Sequence, residues 1–270
     1  MLRYPLFLLV AATSVIAVSL SAYAQEAKLP TRDGTLHLLS FGAGAPMEGP
    51  PVDDLYGRDA GFVVEAVKRS PSPWKTVETT FVSGLECTSD RVRTELKRLG
   101  KDAKPGDLVF IHASTHGTTQ DGLFRLDGES ATIIDANVLM GFLAELPCPS
   151  LVTIDACEAG GAMRSQLPKQ SAWLLGCSET QSTSGQGDDP RVPHGFLVLA
   201  ICEALRGDAD SDRDGLVTIG ELCKWVPPRA TDLAVDIIEQ EAVVVLPDDL
   251  AKLPLTRTVP GEHKPLWTGK

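Results

Sequence analysis

Short apolar runs alternate with stretches of helical period along most of the chain. Thr35 to Phe41 and Trp74 to Val82 read as strands, and so do Asp107 to Ala113 and Ala172 to Cys177. Between the first two, Phe62, Val63, Ala66 and Val67 recur at helical spacing, which predicts a helix opened by Asp59 and running to Arg69. Thr88 or Ser89 is placed to cap a helix from Asp90 to Leu99, acidic at its start and basic at its end. Thr118 to Ile134 reads as a hairpin region around Asp121-Gly122 and Asp127-Gly128, and Asp135 caps a helix reaching Leu146. Leu151 to Ile154 is a β-branched apolar run that stops at Asp155-Ala156-Cys157-Glu158-Ala159-Gly160-Gly161. A Gly/Pro-rich loop is expected over Gly42 to Gly57, and a polar, mobile one over Ser178 to Pro193. Further helices are expected over Gly195 to Leu205, near Ile219 to Val226, and, after a break at Pro227-Pro228, over Arg229 to Glu241. Ala242 to Leu246 and Leu253 to Thr258 are candidates for a last strand. Strands alternating with helices predict a parallel, doubly wound α/β sheet, whose ligands meet the protein at the carboxyl ends of the strands.

The acidic balance narrows the partners. With 270 residues and a formal net charge of -11, the chain is long enough for a large α/β domain and is a poor match for nucleic acid. Met1 to Ala24 reads as an export signal: Arg3, an apolar stretch from Leu6 to Leu20, then Ala22-Tyr23-Ala24 before cleavage at Gln25. That predicts a periplasmic or extracellular protein. An uncleaved segment would instead act as a membrane anchor, the one membrane contact expected. Export permits disulfides among the six cysteines, whose spacing has no CxxC metal pattern.

Two strand ends carry candidate chemistry. Ser114-Thr115-His116-Gly117 follows the strand from Asp107, and Asp155-Ala156-Cys157 follows the strand from Leu151. A thiol attacks better when a nearby imidazole takes its proton, and adjacent parallel strands would set His116 beside Cys157. Backbone N–H groups of Gly117 and Cys157 are then candidates for an oxyanion hole. A Cys-based phosphatase is excluded, because Ala156 precedes Cys157 and Arg164 is one position too late for the phosphate loop. His112 lies inside a strand and His194 precedes a helix, and both read as structural.

These motifs resemble the caspase/metacaspase-type cysteine peptidases. Ser114-Thr115-His116-Gly117 stands for the family's Ser-Gly-His-Gly, and Asp155-Ala156-Cys157-Glu158-Ala159-Gly160 for its Asp-x-Cys-x-Ser-Gly. Arg58-Asp59-Ala60, His194-Gly195-Phe196 and Leu253-Pro254-Leu255 match further segments in the same order. The likeness runs from residue 35 to 258, leaving 259–270 as a tail, and Thr115 and Ala159 depart from the pattern. The resemblance implies a caspase-like three-layer α/β/α sandwich with a mostly parallel six-stranded sheet. It implies a catalytic dyad of His116 as general acid/base and Cys157 as nucleophile, acting on protein or peptide substrates. It also implies an acidic pocket of Asp59, Ser114 and Asp155 that selects Arg or Lys before the cleaved bond, where caspases select Asp. Arg164, Lys169 and Arg191 between Gly161 and Pro193 are candidate self-cleavage points. The alternative is a catalytically silent caspase-like module that serves as a calcium-stabilised binding or regulatory domain.

Residues 210–221 form an EF-hand-type loop by spacing. Asp210, Asp212 and Asp214 stand at positions one, three and five, and Gly215 stands at six. Leu216 offers a carbonyl at seven, Thr218 stands at nine, and Glu221 closes the loop at twelve. Calcium in a structural role is the expected cofactor, with no organic cofactor.

Overall fold

The structure, a computed structural model, describes residues 31–44, 55–128, 131–183 and 194–258. The expected export segment Met1–Ala24, Arg191 and the tail 259–270 lie outside the described residues, as do parts of the two expected loops. In chain order the elements are β1 (Arg32–Ala43), α1 (Leu55–Arg69), β2 (Trp74–Ser83), α2 (Ser89–Asp102), β3 (Leu108–Gln120), β4 (Leu123–Asp127) and β5 (Thr132–Asp135). They continue with α3 (Ala136–Ala144), β6 (Ser150–Asp155), β7 (Ser171–Leu175), α4 (Phe196–Glu203), β8 (Leu216–Thr218), α5 (Ile219–Ala234), β9 (Val243–Val245) and β10 (Pro254–Arg257).

The main sheet has the strand order β2-β1-β3-β6-β7-β9. Its first five strands are mutually parallel and β9 is antiparallel to β7. Strand alternation sorts the apolar side chains into two layers. Leu36, Leu38, Leu108, Phe110, Leu151 and Leu174 face a core shared with α1, α4 and α5. Leu39, Phe41, Val109, Ile111, Val152 and Trp173 face a second core shared with α2 and α3. The result is the expected three-layer sandwich on a mostly parallel six-stranded sheet. Thr88 and Asp135 cap α2 and α3 by accepting from the Arg91 and Val138 backbone N–H groups. Among the described residues, no helix is long and apolar enough to cross a membrane.

Several elements depart from the expectation. Strand β3 does not stop at Ala113. It runs parallel to β6 as far as Ser114 opposite Asp155 and to β1 as far as Thr115, then pairs antiparallel with β4 from His116 onward. Asp121 and Gly122 both take positive φ, the type I′ geometry that folds a strand tightly back on itself. Helix α1 begins at Leu55, because Asp59 is a buried helix residue rather than a cap. Helix α5 passes through Pro227 and Pro228 without a break. Ile219, Leu222, Val226, Ala230 and Leu233 form one buried stripe across both prolines, and that burial outweighs the lost backbone bonds. Finally, the two candidate last strands join different sheets: β9 borders β7, while β10 pairs with β8 in a separate two-stranded sheet.

Candidate active site

The carboxyl edge of the sheet gathers the singled-out residues around the point where strand order reverses, between β1 and β3. Strand β1 holds Gly42 opposite Ser114 of β3, and β3 holds Ser114 opposite Asp155 of β6. Two residues further along each of these strands come His116 and Cys157. Cys157 lies just past the end of β6, in a turn whose next residue, Glu158, takes a left-handed φ of 54°. Gly117 presses against this turn. A Cβ on it would collide with the Cys157 carbonyl, so only glycine lets the histidine segment lie flat against the cysteine segment. Glu158 ties the two together from the other side, its Oε2 accepting from the Thr119 N–H at 2.7 Å.

The side chains are held differently. His116 is half-buried, and its Nδ1 lies 3.2 Å from the Tyr56 hydroxyl, with the two rings edge-to-face at 4.9 Å between centroids. Cys157 is half-buried with its Sγ 3.8 Å from the Thr183 carbonyl. The other five cysteines are buried. Burial pushes Cys148 and Cys177 up to about 11 and Cys223 up to about 12, and it raises Cys202 further. Cys157 is therefore the thiol that both chemistry and access favour.

Beside this pair, Asp59, Ser114 and Asp155 converge, all nearly excluded from solvent. The Ser114 hydroxyl donates to Asp59 Oδ2 at 3.4 Å, and the Gly195 N–H donates to the same oxygen at 3.1 Å. The other oxygen, Oδ1, lies 2.7 Å from His194 Nδ1. Phe62, one helical turn after Asp59, stacks on the His194 ring at 4.2 Å and 8°. Asp155 differs: its Oδ1 is buried with no hydrogen-bond partner. Burial, and then the Asp59 charge, push its carboxyl up to about 8, with a Thr183 hydrogen bond opposing them. Burial also raises Asp59, against its bonds to His194, Gly195 and Ser114. Gly195 is required here, since a Cβ would strike Asp155 Oδ2.

His112 is fully buried, and its Nδ1 bonds Thr153 Oγ1 at 2.8 Å. Burial lowers its pKa to about 3, so it is neutral. His194, set aside from sequence as structural, belongs to the acidic pocket. Its adjacency to the Gly195-Phe196 helix start was the available signal. Tyr56 and Thr183 had no such signal, because each meets its partner only through the fold.

At the opposite side of α4, one oxygen from each of Asp210, Asp212 and Asp214 lies within 4.8 Å of the others. Gly215 takes the φ of 88° that the loop's sharp turn needs. Leu216 opens β8, and Thr218 caps α5 in a capping box with Glu221. Glu221 also reaches back, its Oε1 accepting from the Ser211 N–H at 2.9 Å. Burial raises the Asp214 carboxyl, and the charges of Asp212, Asp210 and Glu221 add to this against a Leu216 N–H bond.

No family model matches the chain. It is similar to metacaspase-2 from Trypanosoma brucei brucei, 29% identical over 137 residues that cover 46% of this chain and 38% of that protein. Metacaspase-3 from the same organism is 29% identical over 137 residues, covering 46% of this chain and 37% of that one. The chain thus matches less than two fifths of the length of these relatives. Among solved structures, caspase-1 from Spodoptera frugiperda superposes with a TM-score of 0.54 at 14% identity, covering 87% of this chain and 94% of that one. Protein GSU0716 from Geobacter sulfurreducens gives 0.52 at 15% identity, covering 84% and 100%. The chain has a caspase/metacaspase-type fold.

Proposed function

We propose that this chain is a cysteine endopeptidase that cuts peptide bonds after Arg or Lys. The observation that carries the reading is the pairing of the His116–Cys157 edge with a pocket in which Asp155 Oδ1 is buried and unpartnered. In the proposed reaction, His116 takes the Cys157 proton and Sγ attacks the scissile carbonyl carbon. Backbone N–H groups of Cys157 and Gly117 receive the oxyanion. The C–N bond breaks as His116 hands its proton to the leaving amine, leaving a thioester on Cys157. Water, deprotonated by His116, then attacks the thioester and frees the acid and the thiol.

A guanidinium or ammonium group entering the pocket meets Asp155, which releases its proton and forms a charge-assisted pair in a dry site. Ser114 and Asp59 complete the polar wall. A panel of fluorogenic peptides differing at the residue before the cut tests this. Cleavage after Arg or Lys is expected, and cleavage after Asp alone refutes it.

Two further proposals belong to this reading. Asp210, Asp212, Asp214, Leu216, Thr218 and Glu221 would hold calcium as a structural ion, relieving carboxylate repulsion between α4 and α5. Titration calorimetry showing no heat at millimolar calcium counts against that. Met1–Ala24 would direct export, and N-terminal sequencing of the secreted protein should then begin at Gln25.

A further inference from the structure

We propose that Tyr56 is a positioning residue for His116: its hydroxyl accepts the Nδ1–H, fixing the imidazole so that Nε2 exchanges the proton with Cys157. The inference rests on the dyad reading above and adds the partner that reading leaves open. An imidazole that serves as a base needs its second nitrogen held, because the partner there selects the tautomer and stabilises the imidazolium. Carboxylates commonly fill that place, and two lie on the segments that flank this His. Asp127 stands opposite His116 across the β3–β4 ladder, but its Oδ2 and Oδ1 accept from the Thr118 and Thr132 hydroxyls at 2.7 Å each. Glu158 is turned to the Thr119 N–H. The partner that reaches His116 Nδ1, at 3.2 Å, is Tyr56.

The chain builds a seat for this tyrosine. Gly42 lies near the end of β1 and Gly44 just past it, and a Cβ on either would collide with Tyr56, on Gly42 with its carbonyl and on Gly44 with its ring. The edge-to-face contact with Tyr56, at 61° between ring planes, braces one side of the His116 imidazole. When Cys157 gives up its proton, both ring nitrogens carry hydrogen, and Nδ1–H already has an acceptor.

The test uses Tyr56→Phe in the full chain, which keeps the ring and removes the hydroxyl. The pH dependence of Cys157 alkylation by iodoacetamide is read alongside kcat and KM on an Arg peptide. The alkylation midpoint should rise by about one pH unit and kcat should fall about tenfold with KM nearly unchanged, as loss of a hydrogen bond to a charged group predicts. In a His116→Ala background, Tyr56→Phe should add nothing. Nitrogen NMR of the unaltered protein gives a second reading, with the proton expected on Nδ1 of neutral His116. An unshifted midpoint with unchanged kcat, or a proton on Nε2, overturns the proposal. If the parent chain hydrolyses no peptide while alkylation still depends on His116 and Tyr56, the peptidase reading fails and the positioning role stands.

Discussion

Replacing Asp155 by asparagine should stabilise the protein at alkaline pH, against the usual effect of altering a buried polar residue. The carboxyl is 4% exposed, one of its oxygens has no partner, and its nearest charge is another carboxylate, Asp59. Burial, aided by Asp59, raises its folded pKa from 3.8 to about 8. The folded chain therefore keeps a proton that the unfolded chain releases near pH 3.8. Stability is greatest below that value, falls as pH rises through the window from about 4 to about 8, and is flat above it. From pH 5 to pH 8 the window spans three pH units at about 1.36 kcal/mol each, so the loss is at most on the order of 4 kcal/mol. Asparagine has no proton to lose, so this slope disappears. Urea unfolding of Cys157→Ala and of Cys157→Ala/Asp155→Asn at pH 5 and pH 8 measures it without self-cleavage. The difference between the two chains cancels the contribution of groups remote from Asp155. Equal slopes would refute the buried, proton-holding carboxyl.

Three other outcomes follow from the same geometry. Gly195→Ala drives a Cβ into Asp155 Oδ2, so it should cost about 1–3 kcal/mol in thermal unfolding and raise KM for Arg peptides more than it lowers kcat. Iodoacetamide at pH 8 followed by mass spectrometry should label Cys157 alone, since burial raises the pKa of Cys148, Cys177, Cys202 and Cys223 and Cys87 is buried; a second labelled site contradicts this. Arg229→Ala leaves Glu203, 2% exposed and otherwise bonded by the guanidinium at 2.7 and 3.1 Å, without that partner between α4 and α5. A loss of about 3–5 kcal/mol in urea unfolding is expected.

Much of the scaffold was legible because its causes are local. Asp121-Gly122 specifies a type I′ turn, Thr88 and Asp135 are helix caps, and the apolar runs from Leu108 and Leu151 can only be buried strands. The elements that misread are those decided by distant packing. Helix α5 survives Pro227-Pro228 because its stripe faces a core supplied by other elements. Strand β3 outruns its parallel neighbour because β4 returns to pair with it. The pocket was legible in Asp59, Ser114 and Asp155 only through the resemblance. Its remaining members meet across long sequence gaps: His194 reaches Asp59 over 135 residues, and Tyr56 reaches His116 over 60. No spacing rule connects such pairs before the sheet is assembled.

Cys157 and His116 are proposed to hydrolyse peptides after a basic residue. The most direct measurement of this activity is the rate of release from matched Arg, Lys and Asp fluorogenic peptides by the purified chain, by Cys157→Ala and by His116→Ala. Turnover of the Arg and Lys peptides is expected, with none of the Asp peptide and a fall of about a thousandfold or more in either variant. Undiminished cleavage in Cys157→Ala, or turnover confined to the Asp peptide, would contradict it.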